Sequence, residues 1–202
     1  IYLDDVMTDA RDIDMNDIEG VTADVSLKKA WHMMRDRGDV TLPVVDQGKL
    51  TGIITIGDIA NAYMDVYDNC ILSTAKTSYK NILETLDAKM IVGSEDGFFE
   101  SGEVVIATAN PDVLEDYIHP GDMVILGNRY ETQLCAIEMG AACVVISMGA
   151  KVSKTIQHFA KEHNCIVINT PYDSFTVARL INQSMSIGYF MKKEKLTTFR
   201  VT

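Results

Sequence analysis

Thr55 and Asp58, three apart in the stretch GIITIGDIA, carry the side chains in this sequence best suited to holding a polar ligand. A hydroxyl can donate to a phosphate oxygen, and an ionised carboxylate has two acceptor oxygens that can take both hydroxyls of a ribose. The β-branched run KLTGIIT (49–55) predicts a strand ending at Thr55, and IGDIANAYMDVY (56–67) predicts a helix beginning at once. A helix N-terminus offers unpaired N–H groups and a partial positive charge, which suit phosphate. The same two residues have a purely structural use, with Thr55 capping the helix and Asp58 settling its first turn. The residues alone leave both open.

A second candidate lies in the loops GNRYETQ (127–133) and SMGAKVS (147–153), each between an expected strand and an expected helix. In open parallel sheets, ligands bind at such carboxyl ends. Arg129 could pair with an anion there, with Lys151 and Gly149 in the other loop; equally, Arg129 could brace the loops or an interface.

Catalytic chemistry finds no support. Ser174 beside Asp173 would be part of a helix cap in TPYDSFTVARLI, His119 sits in a turn, and His158 and His163 lie five apart on one helix. No residue is assigned as a catalytic group or a metal ligand. Cys70, Cys135, Cys143 and Cys165 form no C-x-x-C pair, the pattern of buried, reduced thiols in a cytoplasmic protein.

The 202 residues hold 18 Lys and Arg against 29 Asp and Glu, a net charge of −11. That balance argues against nucleic acid, which needs a basic patch to neutralise phosphates. No apolar run approaches membrane-spanning length, so no membrane is expected. The start is acidic where a signal peptide would be basic and then apolar, and with no initiator Met and an abrupt start a fragment of a longer protein is expected.

Two rhythms organise the chain. Residues 1–67 read strand, helix (26–38, with Leu27, Ala30, Trp31, Met33 and Met34 as its apolar set), strand (41–46), strand (49–55), helix (56–67). A helix over 78–90 and a Gly-containing loop over 93–102 follow. Strands at 103–108, 122–127, 143–147 and 165–169 then alternate with helices at 111–118, 129–140, 153–164 and 174–184. Continuous apolar strands between helices imply a mostly parallel sheet covered on both faces. The fold class is therefore α/β, with an α+β unit preceding the parallel sheet. YFMKKEKLTTFRVT (189–202) echoes the beginning of the chain, so domains are expected at 1–74, 75–186 and 187–202.

VMT (6–8), VSLKKAWHMMRDRG (25–38), LPVVD (42–46) and GKLTGIITIGDIANAY (48–63) resemble a CBS motif, a regulatory unit that works in pairs. Residues 75–185 resemble the DRTGG domain: Arg129 and Gly149 stand where that family's two loops have them, while Asn128 replaces its Asp and SMG replaces TGG. A CBS motif, a DRTGG domain and the start of a second CBS motif together resemble the regulatory insert of family II inorganic pyrophosphatases.

The resemblance implies a non-catalytic region that binds adenine nucleotides (AMP, ADP, ATP or diadenosine polyphosphates) and controls a manganese-dependent pyrophosphatase, a hydrolase whose metal lies in the catalytic part. It implies Thr55 for phosphate, Asp58 for ribose, and adenine near Thr22, Val25, Leu42 and Pro43. Partners would be the nucleotide, the protein's own catalytic domains and a second copy in a homodimer. The alternatives are a ligand-free dimerisation scaffold and a stand-alone α/β phosphotransferase.

Overall fold

The structure, a computed structural model, describes residues 19–64 and 68–191. The sequence expectations for 1–18, 65–67 and 192–202, including most of the echo at the C-terminal end, lie outside the described residues.

Helix α1 (Leu27–Arg37) starts where Ser26 accepts the N–H of Lys29, and stops at Gly38 in the left-handed region. Leu27, Ala30 and Met34 are buried along it, with Met33 packed beside them. Trp31 departs from the expected apolar set, being 41% exposed. Strands β1 (Thr41–Asp46) and β2 (Lys49–Thr55) form an antiparallel hairpin closed by Gln47 and Gly48, both at positive φ. Two such residues suit a two-residue hairpin loop. Helix α2 (Ile56–Met64) follows without a break.

Short helix α3 (Ile71–Thr74) and strand β3 (Thr77–Ser78) lead into helix α4 (Tyr79–Thr85). The helix expected over 78–90 is shorter than the sequence suggests. It ends at Leu86, Asp87 turns left-handed at φ 48°, and Lys89–Val92 becomes strand β4. A short apolar run such as MIV fits helix or strand, and pairing with the sheet decides it. The loop after it contains β5 (Phe98–Phe99), paired with β3.

The remaining elements are β6 (Val104–Ile106), α5 (Pro111–Leu114), β7 (Met123–Leu126), α6 (Tyr130–Glu138) and β8 (Cys143–Ile146). After them come α7 (Lys154–Glu162), β9 (Ile166–Asn169), α8 (Ser174–Leu180), a 3-10 turn (Ile181–Ser184) and α9 (Ile187–Phe190). Among the described residues they build a sheet of order β4-β9-β8-β7-β6, parallel except for β4 at one edge. Sequence reading placed the parallel strands within a few residues and missed the antiparallel edge.

Alternation along these strands divides the interior in two. Val124, Leu126, Val144, Ile146 and Val167 face α5, α6 and α7. Met123, Ile125, Cys143, Val145 and Ile168 face the other way, into a core shared with α4, α8, α1 and the β1–β2 hairpin. The two rhythms of the sequence are therefore welded through one apolar layer. Burial pushes the Cys143 thiol well above its ordinary value and that of Cys165 up to about 12, so neither is a ready nucleophile.

Candidate functional site

The turn from β2 into α2 closes on itself. The Thr55 hydroxyl donates to Asp58 Oδ2 at 2.7 Å, the Thr55 N–H donates to the same oxygen at 2.9 Å, and the Asp58 N–H donates to Thr55 Oγ1 at 3.2 Å. This is a reciprocal cap of the helix. Asp58 Oδ1 has no partner among the described residues, and Asp58 is half-buried rather than hidden. The arrangement serves both sequence readings at once: the cap fixes the carboxylate while one of its oxygens stays available. For Thr55 to donate to a phosphate, its single hydroxyl proton must leave Asp58.

The hairpin presents two faces. Leu42 and Ile54 are cross-strand partners and fully buried, while Pro43 pairs with Ile53 and Thr41 with Thr55 on the half-buried face. The Leu42 side chain therefore points into the core and cannot touch a ligand on the Thr55 side; Pro43 can. Val21 bridges Val44 in parallel, through Val21 N–H to the Pro43 carbonyl and Val45 N–H to the Val21 carbonyl. That register carries Thr22 towards the Val45 end, about 13 Å along the strand direction from the level of Thr55. The structure thus gathers Thr41, Pro43, Ile53, Thr55 and Asp58, and sets Thr22 and Val25 apart on the neighbouring segment.

The loops at the carboxyl ends of β7, β8 and β9 are held differently. Gln133 Nε2 donates to the Gly127 carbonyl at 3.0 Å, Ser147 Oγ to the Leu126 carbonyl at 3.0 Å, and Asn169 Nδ2 to the Ala150 carbonyl at 2.6 Å. Gly149, at positive φ, donates its N–H to the Thr170 carbonyl. Arg129 and Lys151 are exposed and take part in none of these bonds. The bracing that sequence reading offered to Arg129 is performed instead by Gln133, Ser147 and Asn169. Their one visible signal is a polar residue at a position that the flanking apolar pattern would bury.

At the start of α8, Asp173 caps through Oδ1 to the N–H groups of Phe175 and Thr176, and the Thr176 hydroxyl donates to Oδ2. That hydroxyl, chiefly, holds the carboxyl below the usual range. Ser174 shares a 3.2 Å contact with Ser147, and no histidine joins them. His158 and His163 are both exposed, the first beside Glu162 and the second against the Phe159 carbonyl. Among the described residues no group of three or more His, Cys, Asp or Glu is placed to hold a metal ion. No described helix is long and apolar enough to cross a membrane.

An apolar groove of about 690 Å³ opens between α1, α2 and the α8 end, lined by Trp31, Ile56, Ile59, Tyr63 and Arg179 among others. Neither Thr55 nor Asp58 lines it.

Comparison with known proteins identifies the two domains. Residues 5–65 match the CBS domain and residues 81–184 match the DRTGG domain. The chain therefore belongs to the family of proteins that join a CBS domain to a DRTGG domain. The crystal structure of the CBS and DRTGG domains of the regulatory region of Clostridium perfringens pyrophosphatase, complexed with its activator diadenosine tetraphosphate, superposes with a TM-score of 0.87 at 38% identity. It covers 93% of this chain and 82% of that one.

The cobalt-dependent inorganic pyrophosphatase of Clostridium perfringens is 38% identical over 196 residues, 96% of this chain and 36% of that protein. A probable manganese-dependent inorganic pyrophosphatase of Thermotoga maritima is 28% identical over 194 residues, 96% of this chain and 35% of that protein. The chain thus spans about a third of the length of these two relatives.

Proposed function

We propose that this chain is the non-catalytic regulatory region of an inorganic pyrophosphatase, and that it binds adenine nucleotides, diadenosine polyphosphates among them. The observation that carries the reading is the β2–α2 turn. It holds a carboxylate with an unspent oxygen beside a half-buried strand face, in a fold shared with a region whose activator is diadenosine tetraphosphate. In this reading Asp58 accepts the ribose hydroxyls, Thr55 and the Gly57 N–H take phosphate, since the Ile56 and Asp58 N–H groups are spent on the Val40 carbonyl and Thr55 Oγ1, and adenine lies against Pro43 and the Thr22–Val25 segment. Leu42 contributes only the strand that carries Pro43.

Domains run over 1–74, 75–186 and 187–202, and the last opens a second CBS motif that would complete the cleft. Ligand binding shifts the relation between the paired motifs and so biases the distant catalytic part. The catalytic part would use manganese, or cobalt as in the Clostridium protein's name. The free cysteines suit a cytoplasmic setting. Arg129 and Lys151 would face an anionic group or a neighbouring subunit, with Gly149 shaping the loop between them.

A second reading, a dimerisation scaffold, is favoured by the apolar groove with Trp31 and Tyr63 exposed beside it. The two are compatible in a nucleotide-binding homodimer and separate in one measurement. Calorimetric titration of the intact protein with AMP, ADP, ATP and diadenosine tetraphosphate gives saturable heat with at least one under the regulatory reading, and none under the scaffold reading.

A further inference from the structure

Helix α4 touches the segment proposed for adenine and the α/β sheet at the same time. Near its start the buried Asn81 donates through Nδ2 to the carbonyl of Asp24 at 2.9 Å. At its end the Thr85 carbonyl accepts Lys28 Nζ of α1 at 2.7 Å. The next carbonyl, that of Leu86, accepts the hydroxyl of fully buried Thr170 at 2.6 Å. Thr170 follows β9, and its main chain joins the Ile146 carbonyl and the Gly149 N–H. A few bonds therefore run from residue 24, through α4, to the loops at the carboxyl ends of the sheet.

The Thr22–Val25 segment is unusually well held. The Thr22 carbonyl accepts Val25 N–H, the Ala23 carbonyl accepts Gly188 N–H, and the Val25 carbonyl accepts Ile187 N–H. Asn81 supplies the remaining bond, to Asp24, and is the side chain among these partners. A base seated against residues 22–25 is best served by a fixed main chain, because ordering that segment on binding would subtract from affinity.

We infer that Asn81 is a positioning residue for the nucleotide half-site, and that α4 ties the half-site to the carboxyl-end loops of the α/β domain through Asn81, Lys28 and Thr170. This rests on the nucleotide reading above. Ligand seated on residues 22–25 then tightens α4 and its bond to Thr170, so that the α/β domain responds to occupancy without touching the ligand.

The test combines calorimetry with hydrogen–deuterium exchange on the intact protein, using diadenosine tetraphosphate as probe. In the wild type, ligand protects residues 20–26 and 55–60, and also 79–86 and 169–172. Asn81→Asp puts an acceptor where a donor faces the Asp24 carbonyl; it weakens binding about tenfold and abolishes the protection at 169–172 while that at 55–60 persists.

Lys28→Met, at a half-buried position, keeps the apolar stem and serves should the first variant fail to fold. It retains ligand protection at 55–60 and loses it at 83–86. Wild-type protection confined to 20–60, or either variant behaving as wild type, overturns the inference and leaves the nucleotide reading standing. Absence of any heat or protection in the wild type overturns both.

Discussion

The turn at Thr55–Asp58 and the loops at Gly127–Gln133 and Ser147–Ser153 are built to one plan, a strand running into a helix, and differ in what is left over. In the CBS motif the cap uses one carboxylate oxygen twice and leaves the other without a partner among the described residues. In the α/β domain the polar side chains reach inward, as Gln133, Ser147 and Asn169 are spent on carbonyls of the loops themselves. The CBS turn thus offers a spare acceptor held in place by its own cap, whereas the spare donors of the loops, Arg129 and Lys151, are exposed and outside the bracing; topology alone supplies neither.

That contrast can be broken most sharply at Asp58. Asp58→Ala weakens diadenosine tetraphosphate binding to the intact protein about 30- to 100-fold by calorimetry, because a charged acceptor is lost. A variant that binds like the wild type would move the site elsewhere.

The opposite behaviour is expected of Gln133→Leu. Truncating that buried donor strands the Gly127 carbonyl at about 2 kcal/mol, and Tm falls by roughly 4–8 °C with nucleotide affinity unchanged.

A smaller effect separates the buried layer under the loops from both turns. Cys165 is neutral in the folded protein, with its pKa at about 12 against an ordinary 9.0. A raised pKa gives a stabilising contribution complete below about pH 9 and lost as pH climbs towards 12. Urea unfolding across that range should decline less steeply in Cys165→Ala than in the wild type.

Smallest of all, Arg129→Ala shifts Tm by no more than about 1 °C, since an exposed side chain outside the bracing contributes little. A large fall would return Arg129 to the bracing role.

Much of the architecture was legible in the sequence because periodicity carries it. Helix α1 announced itself through Ser26, Gly38 and its apolar spacing, and the strands β7, β8 and β9 through runs that are buried on both faces. Strand β4 was not legible, since the turn at Asp87 is made by a residue with no glycine signal, and the pairing that defines β4 comes from β9, almost eighty residues later. At the candidate site the residue types were readable but their sides were not. Leu42 and Pro43 are adjacent in sequence and point to opposite faces, a distinction fixed by register with β2. Asn81 and Lys28 carried no signal at all, because their partners are main-chain carbonyls distant in the sequence.

One junction has a consequence for how the chain comes to be folded. Leu27 N–H meets the Met185 carbonyl, Ile187 and Gly188 pair with Val25 and Ala23, and the Met191 side chain occupies the space where a Cβ on Gly52 would stand. The first motif is therefore sealed by residues made some 160 positions after the ones they close on, Met185 on Leu27 and Ile187 on Val25. During synthesis that motif must wait, with the Leu27 N–H and the Ala23 and Val25 carbonyls unpaired, until the whole α/β domain has emerged. Such sequence-distant closure is slow, which makes the α/β domain the scaffold on which the earlier-made half is completed.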